Sequence, residues 1–413
     1  MTERDEESIG REPADLSFLG QPNPTMHENG RLATRRRFLT VAATGAAAGL
    51  AGCGGILGGG DDDDDDDGSI PDITEFQGSG ALIEGRDDPG GTSIRDLPDL
   101  SGELNLLIGG GEGGIYTTFI DMLEEIYSDF AVFSSFGSSS SLAQTIVSEV
   151  EADAARADLF WSIDASSLAF VANNDAYGSL PSDAISDVPS EFRGDDDAWT
   201  GVAGRARSVP YNTNALSESD IPNKVREFPN TSALQGTMGW APTYGAFRAF
   251  VTAMRLSRGE NATRNWLESM GGNGTERFPN EFVVSSRVAD GALDAGFANH
   301  YYAMRVKNQR PDAPIDLAFT EGDAGALVNV AGALKIKGTD KDDLVANFVR
   351  HLLSAEAQEF FATVSFAYPM IPGVAPVGGL PTIDELSPPD IDLAELSDLE
   401  PTLDLMRDAG VIE

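Results

Sequence analysis

The sequence predicts an α/β protein built on a doubly wound parallel sheet. Short apolar runs, typical of buried strands, cover residues 103–109, 131–133 and 158–163. Amphipathic helical patterns lie between them, the first over residues 115–126. The turns between these elements are short. Because parallel strands need a crossover that is usually a helix, this alternation favours a doubly wound sheet.

The turns of this predicted sheet are rich in glycine and serine. The glycine-rich turn 109–114 leads into the first helix, and the serines at 138–141 offer an N-cap to the second. Glycines before a helix can turn backbone N–H groups toward an anion. No Lys-Ser/Thr pair follows and no G-x-G-x-x-G falls in register, so a nucleotide site is not expected.

Length and charge limit the possible functions. At 413 residues, with 41% apolar residues, the chain is long enough for two domains with cores of their own. The net charge of −39, from 28 basic and 67 acidic residues, argues against nucleic acid or anionic lipid as a partner. Such a surface is typical of a protein kept soluble in high salt, where the screening length falls to about 3 Å at molar salt.

Cysteine and histidine are too scarce for several kinds of site. Cys53 is the only cysteine, and His27, His300 and His351 are the only histidines. A disulfide framework, a thiolate cluster and a His-rich zinc site are therefore excluded. The sequence also lacks a G-x-S-x-G elbow, an H-E-x-x-H motif and a cysteine nucleophile in its body, so we do not expect an enzyme.

The N-terminal region has the features of an export signal. Arg35 and Arg36 lie in a Thr-Arg-Arg-Arg-Phe-Leu segment that resembles the twin-arginine signal. The apolar run 41–50 that follows is shorter than the roughly 20 residues needed to span a bilayer. It ends in Leu-Ala-Gly-Cys, which resembles a lipobox with Cys53 as the lipidated residue. We therefore expect residues 1–53 to direct export and lipid anchoring at the extracellular face of the cell membrane.

Two questions about this region stay open at this point. Met26 is an alternative start to Met1. Residues 54–98, with seven consecutive aspartates at 61–67 and many glycines, are expected to form a disordered tether, because a block of like charge is usually a self-repelling spacer. A calcium site at the aspartate run is the alternative.

Two adjacent phenols stand out in the segment Asn299-His300-Tyr301-Tyr302. Phenol oxygens suit a hard trivalent cation, and the charge of the metal makes a bound phenol easier to deprotonate. Adjacent side chains in a regular strand point to opposite faces, so both rings reach one ion only if the backbone turns here. The alternative is that the two tyrosines are ordinary core aromatics.

Six segments in the same order resemble those of ferric-iron-binding solute-binding proteins of ABC importers: residues 157–164, 204–213, 239–247, 299–302, 325–332 and 352–360. The resemblance covers residues 101–410. It implies a periplasmic-binding-protein-like (type II) fold of two lobes, each a doubly wound sheet flanked by helices, joined by hinge crossings. The implied boundaries are 99–210 and about 319–365 for the first lobe, and about 211–318 and 366–413 for the second.

The resemblance also implies a site for Fe(III), with Tyr301 and Tyr302 binding the metal as phenolates. Where relatives have a third tyrosine this chain has Phe247, so Tyr244 is the candidate for that role. Glu112 is the candidate oxygen ligand of the first lobe, with Tyr116 as an alternative that would otherwise pack in the core. A synergistic anion, carbonate or phosphate, is expected at these residues: Thr243, Tyr244, Gly245, Ala246, Asn280 and Asn299. His300 would donate a hydrogen bond to a ligand.

The resemblance favours a substrate-binding lipoprotein that captures Fe(III) and passes it to a membrane permease and its ATPase subunit. Two alternatives remain: the same fold with an oxyanion, a thiamine-like compound or a polyamine as ligand, and a secreted enzyme. We expect a monomer that contacts the membrane only through its lipid. Sequons at Asn230, Asn261 and Asn273 allow N-glycosylation of an exported protein.

Overall fold

The computed structural model describes residues 70–110 and 113–413. Within this part of the chain, no helix combines the length and the apolar character needed to cross a bilayer. The predicted export signal and residues 54–69 of the predicted tether lie outside the described residues. So do four predicted site or signal residues: Arg35, Arg36, Cys53 and Glu112.

The described residues form a mixed α/β structure. Its strands are β1 (Gly102–Gly109), β2 (Phe130–Gly137), β3 (Leu159–Ser162), β4 (Tyr177–Gly178), β5 (Thr200–Asn212), β6 (Met238–Trp240), β7 (Glu276–Arg277), β8 (Ala295–Gly296), β9 (Ala298–Asn299), β10 (Ile315–Ala318) and β11 (Val328–Ile336). Its helices are α1 (Gly113–Ile126), α2 (Ser139–Glu151), α3 (Ala165–Asn173), α4 (Ser182–Ile185), α5 (Gly245–Arg258), α6 (Glu260–Gly272), α7 (Glu281–Ala289), α8 (His300–Gln309), α9 (Asp342–Leu352), α10 (Ala355–Phe360) and α11 (Glu400–Asp408). A π-helix, Phe361–Ser365, continues α10.

The first three strands follow the predicted alternation. Strand β1 pairs in parallel with both β2 and β3, and helices α1 and α2 make the crossovers. Strand β11 then pairs antiparallel with β3 and with β5. Strands β2, β1, β3 and β11, with β4 on β11, are called the first strand group below.

Strand β5 belongs to two groups of strands. Its first part, Thr200 to Ala206, pairs with β11, and its last part, Val209 to Asn212, pairs with β10. Beyond it, β8, β6 and β7 extend the sheet, and these three with β10 are called the second strand group. Between the two parts, Arg207 and Ser208 pair with β9. The tyrosine pair follows β9 directly, so it lies where the chain passes from one group to the other.

Tyr116 belongs to the core of the first strand group. Its ring stacks on Trp161 of β3 with centroids 4.2 Å apart, and it meets the edge of Phe361. Both Tyr116 and Trp161 are buried. The packing alternative considered for Tyr116 therefore agrees with the structure.

Residues 70–98, called the N-terminal strap below, contradict the prediction of a disordered tether. They include two 3₁₀ turns, and the strap buries Phe76, Ile83 and Ile94. The acidic and glycine-rich composition of the whole segment predicts a tether. The three spaced apolar side chains help to dock it, because each fully buried large side chain contributes about 1.5–3 kcal/mol.

Hydrogen bonds tie the strap to α10 and its π-helix and also to α8. The Gly78 N–H donates to Thr363 Oγ1 at 3.0 Å on the π-helix, and Arg86 pairs with the buried Glu359 of α10 at 2.9 Å. Asn308 of α8 accepts from the Leu82 N–H at 3.3 Å and donates to the Ser79 carbonyl at 3.0 Å. The strap therefore connects α10 to α8, the helix that carries the tyrosine pair.

We expect Phe76→Ala to lower the free energy of unfolding by about 3–5 kcal/mol, the usual cost of deleting a buried phenylalanine ring. Phe76 is fully buried and contacts Phe119 of α1 with ring centroids 6.4 Å apart. Urea unfolding measures the change, and the exposed neighbour Glu75→Ala is the control, with an expected change within about 0.5 kcal/mol. Equal stability of the two variants would show that the strap is not docked.

The C-terminal residues also depart from the predicted boundaries. Residues 366–413 are predicted to belong to the second lobe, but Tyr368 forms a β-bridge with Gly204 of β5. The 3₁₀ helix Leu393–Ser397 contacts both α3 and α5, and only then does α11 pack on α5 and α6. This last stretch of chain therefore packs on α3, which follows β3 of the first strand group, and on α5, which follows β6 of the second.

Candidate functional site

The tyrosine pair lies at a junction between a strand and a helix. Strand β9 ends at Asn299 and α8 begins at His300, which supplies the backbone turn that two adjacent phenols need. The rings of Tyr301 and Tyr302 lie with centroids 4.4 Å apart and planes at 52°. Tyr301 is 3% exposed and Tyr302 is 9% exposed. The two rings therefore face the same small region.

Tyr244 joins this pair. It is the N-cap residue of α5, and its hydroxyl shares a hydrogen bond with the hydroxyl of Tyr302. Phe247, one turn further along α5, is fully buried against Trp240, with ring centroids 5.5 Å apart. The structure thus places the candidate third phenol beside the pair and puts Phe247 in the core.

Some groups around the phenols favour the neutral form, and others favour the phenolate. Burial, and then the hydrogen bond with Tyr244, hold the pKa of Tyr302 well above the usual range of a phenol. Two features favour the phenolate: both tyrosines lie in the first turn of α8, at the positive end of its dipole, and the Arg305 guanidinium lies 5.1 Å from the Tyr301 ring and 5.7 Å from the Tyr302 ring. Without a cation the Tyr302 phenol therefore stays protonated at neutral pH.

A buried network holds Tyr301 in place. Glu281 of α7 accepts from Arg207 Nη1 at 2.5 Å and from the Asn299 N–H at 2.8 Å. Asn299 Oδ1 also accepts from Arg207 Nη1 at 3.1 Å, and Asn299 Nδ2 donates to the Tyr301 hydroxyl at 3.2 Å. A charge-assisted chain of hydrogen bonds thus runs from Glu281 through Arg207 and Asn299 to the phenol.

Neither Arg207 nor Glu281 is predicted from the sequence. The structure buries strand β5 along almost its whole length, and a cation in such a place requires a buried partner. No sequence feature identifies Glu281 as that partner, since it lies 74 residues further along the chain, on helix α7. Asn299 is predicted to contact an anion, but its side chain already forms hydrogen bonds with Arg207 and Tyr301.

His300 is fully engaged by backbone groups. Its Nε2 donates to the Phe366 carbonyl at 2.7 Å, and its Nδ1 accepts from the Ala206 N–H at 3.2 Å. Burial lowers the pKa of His300 to about 4. A neutral imidazole therefore joins β5 to the chain that leaves the π-helix, and the predicted hydrogen bond from His300 to a ligand finds both ring nitrogens occupied.

The predicted anion contacts form two groups. Thr243 and Gly245 are exposed and Ala246 is half-buried at the start of α5, a 14-residue helix whose N-cap provides no side-chain hydrogen bond. The first N–H groups of such a helix attract an anion. Asn280 is the N-cap of α7, and its Oδ1 accepts from the Val283 N–H at 3.0 Å. The side-chain oxygen of Asn280 is therefore used to cap α7.

In the part of the chain that the structure describes, no three His, Cys, Asp or Glu side chains converge as a metal site. The oxygen donors of this region are the phenol hydroxyls of Tyr244, Tyr301 and Tyr302. Phenol oxygens that are brought together in a buried place and backed by an arginine can bind a hard, highly charged cation once their protons leave.

Two curated relatives illustrate what the chain is similar to. The major ferric iron-binding protein of Neisseria meningitidis is 30% identical over 263 residues, which cover 62% of this chain and 78% of the relative. The Fe(3+)-binding periplasmic protein of Serratia marcescens is 26% identical over 280 residues, which cover 67% of this chain and 81% of the relative.

A solved structure agrees with these relatives. Iron-bound HitA from Pseudomonas aeruginosa superposes with a TM-score of 0.63 at 26% sequence identity, over 75% of this chain and 99% of HitA. This similarity confirms the predicted two-lobe α/β fold of the periplasmic-binding-protein type.

The family comparison settles the class. The pattern described as "bacterial extracellular solute-binding protein" matches residues 155–389, which is more than half of the chain. Such proteins carry a solute and do not convert it, which confirms the prediction that this protein is not an enzyme. The chain belongs to the family of bacterial extracellular solute-binding proteins.

Proposed function

We propose that this protein binds Fe(III) through Tyr301 and Tyr302, with Tyr244 as the third phenol. The observation that carries the proposal is the convergence of the three rings: the Tyr244 and Tyr302 hydroxyls share a hydrogen bond, and the Tyr301 and Tyr302 rings lie 4.4 Å apart. The charge of three phenolates is equal in size and opposite in sign to that of Fe(III). Their negative charge thus offsets the cost of holding a trivalent ion away from water.

The environment of the phenols supports capture with proton release. Because the pKa of Tyr302 is raised, Fe(III) displaces a proton when it binds, and acid returns the proton and releases the metal. Glu112 and a carbonate or phosphate ion remain candidates for the other coordination positions. The start of α5 at Thr243, Gly245 and Ala246 is the candidate contact for that anion.

The names of the relatives favour Fe(III) over the other ligands. The Neisseria and Serratia proteins are named for ferric iron, and a Synechocystis relative, 26% identical over 304 residues, is named iron uptake protein A2. An oxyanion, a thiamine-like compound or a polyamine does not need three phenols at one point. Three phenol oxygens at one point suit Fe(III), because it prefers hard oxygen donors.

The two-lobe fold provides a way to load iron and to deliver it to a membrane permease. Both phenols of the pair are nearly buried, so loading requires the lobes to open about the β5 and β11 crossings and to close again over the metal. The first lobe is proposed to include 99–210 and about 319–365, and the second about 211–318. A membrane permease and its ATPase then receive the iron from the closed form. We propose that the protein acts as a monomer, exported by the twin-arginine signal and anchored through Cys53.

Titration of the purified, iron-free protein with Fe(III) tests the proposal. We expect one equivalent to bind and to produce a visible band from phenolate-to-metal charge transfer. The band should fade as the pH falls, because protons compete for the phenols. A thiamine-like compound and a polyamine, tested in parallel, should not bind. Absence of both colour and Fe(III) affinity would overturn the proposal.

A further inference from the structure

The N-terminal strap contacts two helices that pack beside different strand groups. Helix α8 packs on β10 of the second strand group. Helix α10 packs on α1, the crossover between β1 and β2 of the first strand group, where the rings of Phe360 and Phe119 lie with centroids 5.4 Å apart. The strap is therefore a connection between the two groups in addition to β5.

The attachment of the strap to α10 is buried and charged. Arg86 Nε and Nη2 each donate to one carboxylate oxygen of Glu359 at 2.9 Å, and the Glu359 side chain is fully buried. Glu356 accepts from the Ile94 N–H at 2.9 Å and from Ser93 Oγ at 2.5 Å. A two-point arginine pair of this kind is costly to break, because a buried carboxylate would lose its partner. This part of the strap is therefore fixed to α10.

The attachment of the strap to α8 is weaker and lies far from β5. Asn308, a half-buried residue in the last turn of α8, makes two neutral hydrogen bonds with the strap, one with the Leu82 N–H and one with the Ser79 carbonyl. Ile83 adds apolar contact in a cluster that includes side chains of α8. Asn308 lies eight residues after His300, whose ring is hydrogen-bonded to β5, so the two are about 12 Å apart along the helix. A rotation of the second strand group about β5 would therefore move Asn308 away from the strap.

We propose that residues 79–83 of the strap are a latch that holds α8 beside the first strand group and so favours the arrangement in which the phenols are buried. The latch opens at Asn308, because water replaces neutral hydrogen bonds at little cost but does not replace the buried pair of Arg86 and Glu359. Gly80 shows how closely the latch fits: its φ is +127°, and a Cβ there would collide with the Asn308 amide. The latch therefore sets the ratio of closed to open molecules.

The distance between two spin labels on the iron-free protein tests the latch without the metal. The labels are attached through Glu125→Cys on α1 and Glu268→Cys on α6, two exposed positions on helices that pack beside β2 and β6. Cys53→Ser removes the only other cysteine. We expect Asn308→Ala to raise the population with a label separation different from that of this structure by at least about 5-fold relative to the population that keeps it, since two hydrogen bonds are lost. Gln309→Ala, at the exposed neighbour, is the matched control and should behave as the wild type does.

A second variant weakens the latch from the side of the strap. Gly80→Ala should shift the label separations in the same direction as Asn308→Ala, because the added methyl group pushes the strap away from α8. Unchanged separations in both variants, or an equal shift in Gln309→Ala, would overturn the latch. Thermal unfolding of each variant confirms that a shift in separation is not a lost fold.

The effect on iron is a separate measurement, which rests on the proposed function. Asn308→Ala should lose Fe(III) to a chelator at least about 5-fold faster than the wild type, because a larger share of its molecules is open. A label shift in a protein that binds no Fe(III) would overturn the proposed function and support the latch. Iron binding with unchanged label separations in Asn308→Ala and Gly80→Ala would do the reverse.

Discussion

Tyr302→Phe should reduce the affinity for Fe(III) by at least about 100-fold, because changes to groups that only orient a metal ligand already cost about 10–100-fold. The substitution removes the hydroxyl that faces Tyr244 and keeps the ring that packs against Tyr301 and Arg305. Tyr301→Phe should have an effect of similar size. Competition for iron against a chelator of known affinity measures both, and the visible charge-transfer band should be lost in the double variant.

Two further variants separate ligation from packing. Tyr177→Phe changes a half-buried tyrosine of β4, in the first strand group, and should bind iron as the wild type does. Tyr244→Phe tests the third phenol: an affinity loss comparable to that of Tyr302→Phe identifies a ligand, whereas a change below about 10-fold identifies a hydrogen-bond partner of Tyr302. Full affinity in the Tyr301→Phe and Tyr302→Phe double variant would exclude the pair as the metal site.

The features that the sequence predicts well are local. The order of strands and helices from β1 to β3 follows from hydrophobic periodicity, which is read within a dozen residues. The backbone turn at Tyr301 follows because two adjacent phenols can serve one ion only where a strand gives way to another conformation. The family resemblance then extends these local patterns to the two-lobe fold.

The features that the sequence does not predict depend on distant partners. Phe76 and Ile94 dock the N-terminal strap, although the composition around them is that of a spacer. The partner of Arg207 is Glu281, and that of Tyr302 is Tyr244, 58 residues away. Each of these contacts depends on tertiary packing and not on local propensity. Composition and spacing therefore indicate the types of residue at the site but not which residues are in contact.

Glu281→Leu should lower the free energy of unfolding by about 3–5 kcal/mol, the usual cost of breaking a buried ion pair by removing one partner. The side chains of Arg207 and Glu281 are 4% and 0% exposed, so the arginine would keep its charge without water or a counterion. Urea unfolding measures the loss. Asp408→Asn, which removes an exposed ion pair with Arg264, should change stability by no more than about 1 kcal/mol.

The double variant Arg207→Met, Glu281→Leu distinguishes stability from the positioning of Tyr301. Replacing both charges with apolar side chains should restore most of the lost stability, because no uncompensated charge remains. The Asn299 N–H and Oδ1 nevertheless lose Glu281 and Arg207, so Asn299 no longer fixes the Tyr301 hydroxyl. We therefore expect Fe(III) affinity to stay about 10–100-fold below that of the wild type in a protein of nearly normal stability. Recovery of both quantities together would show that the network stabilises the fold and does not orient the phenol.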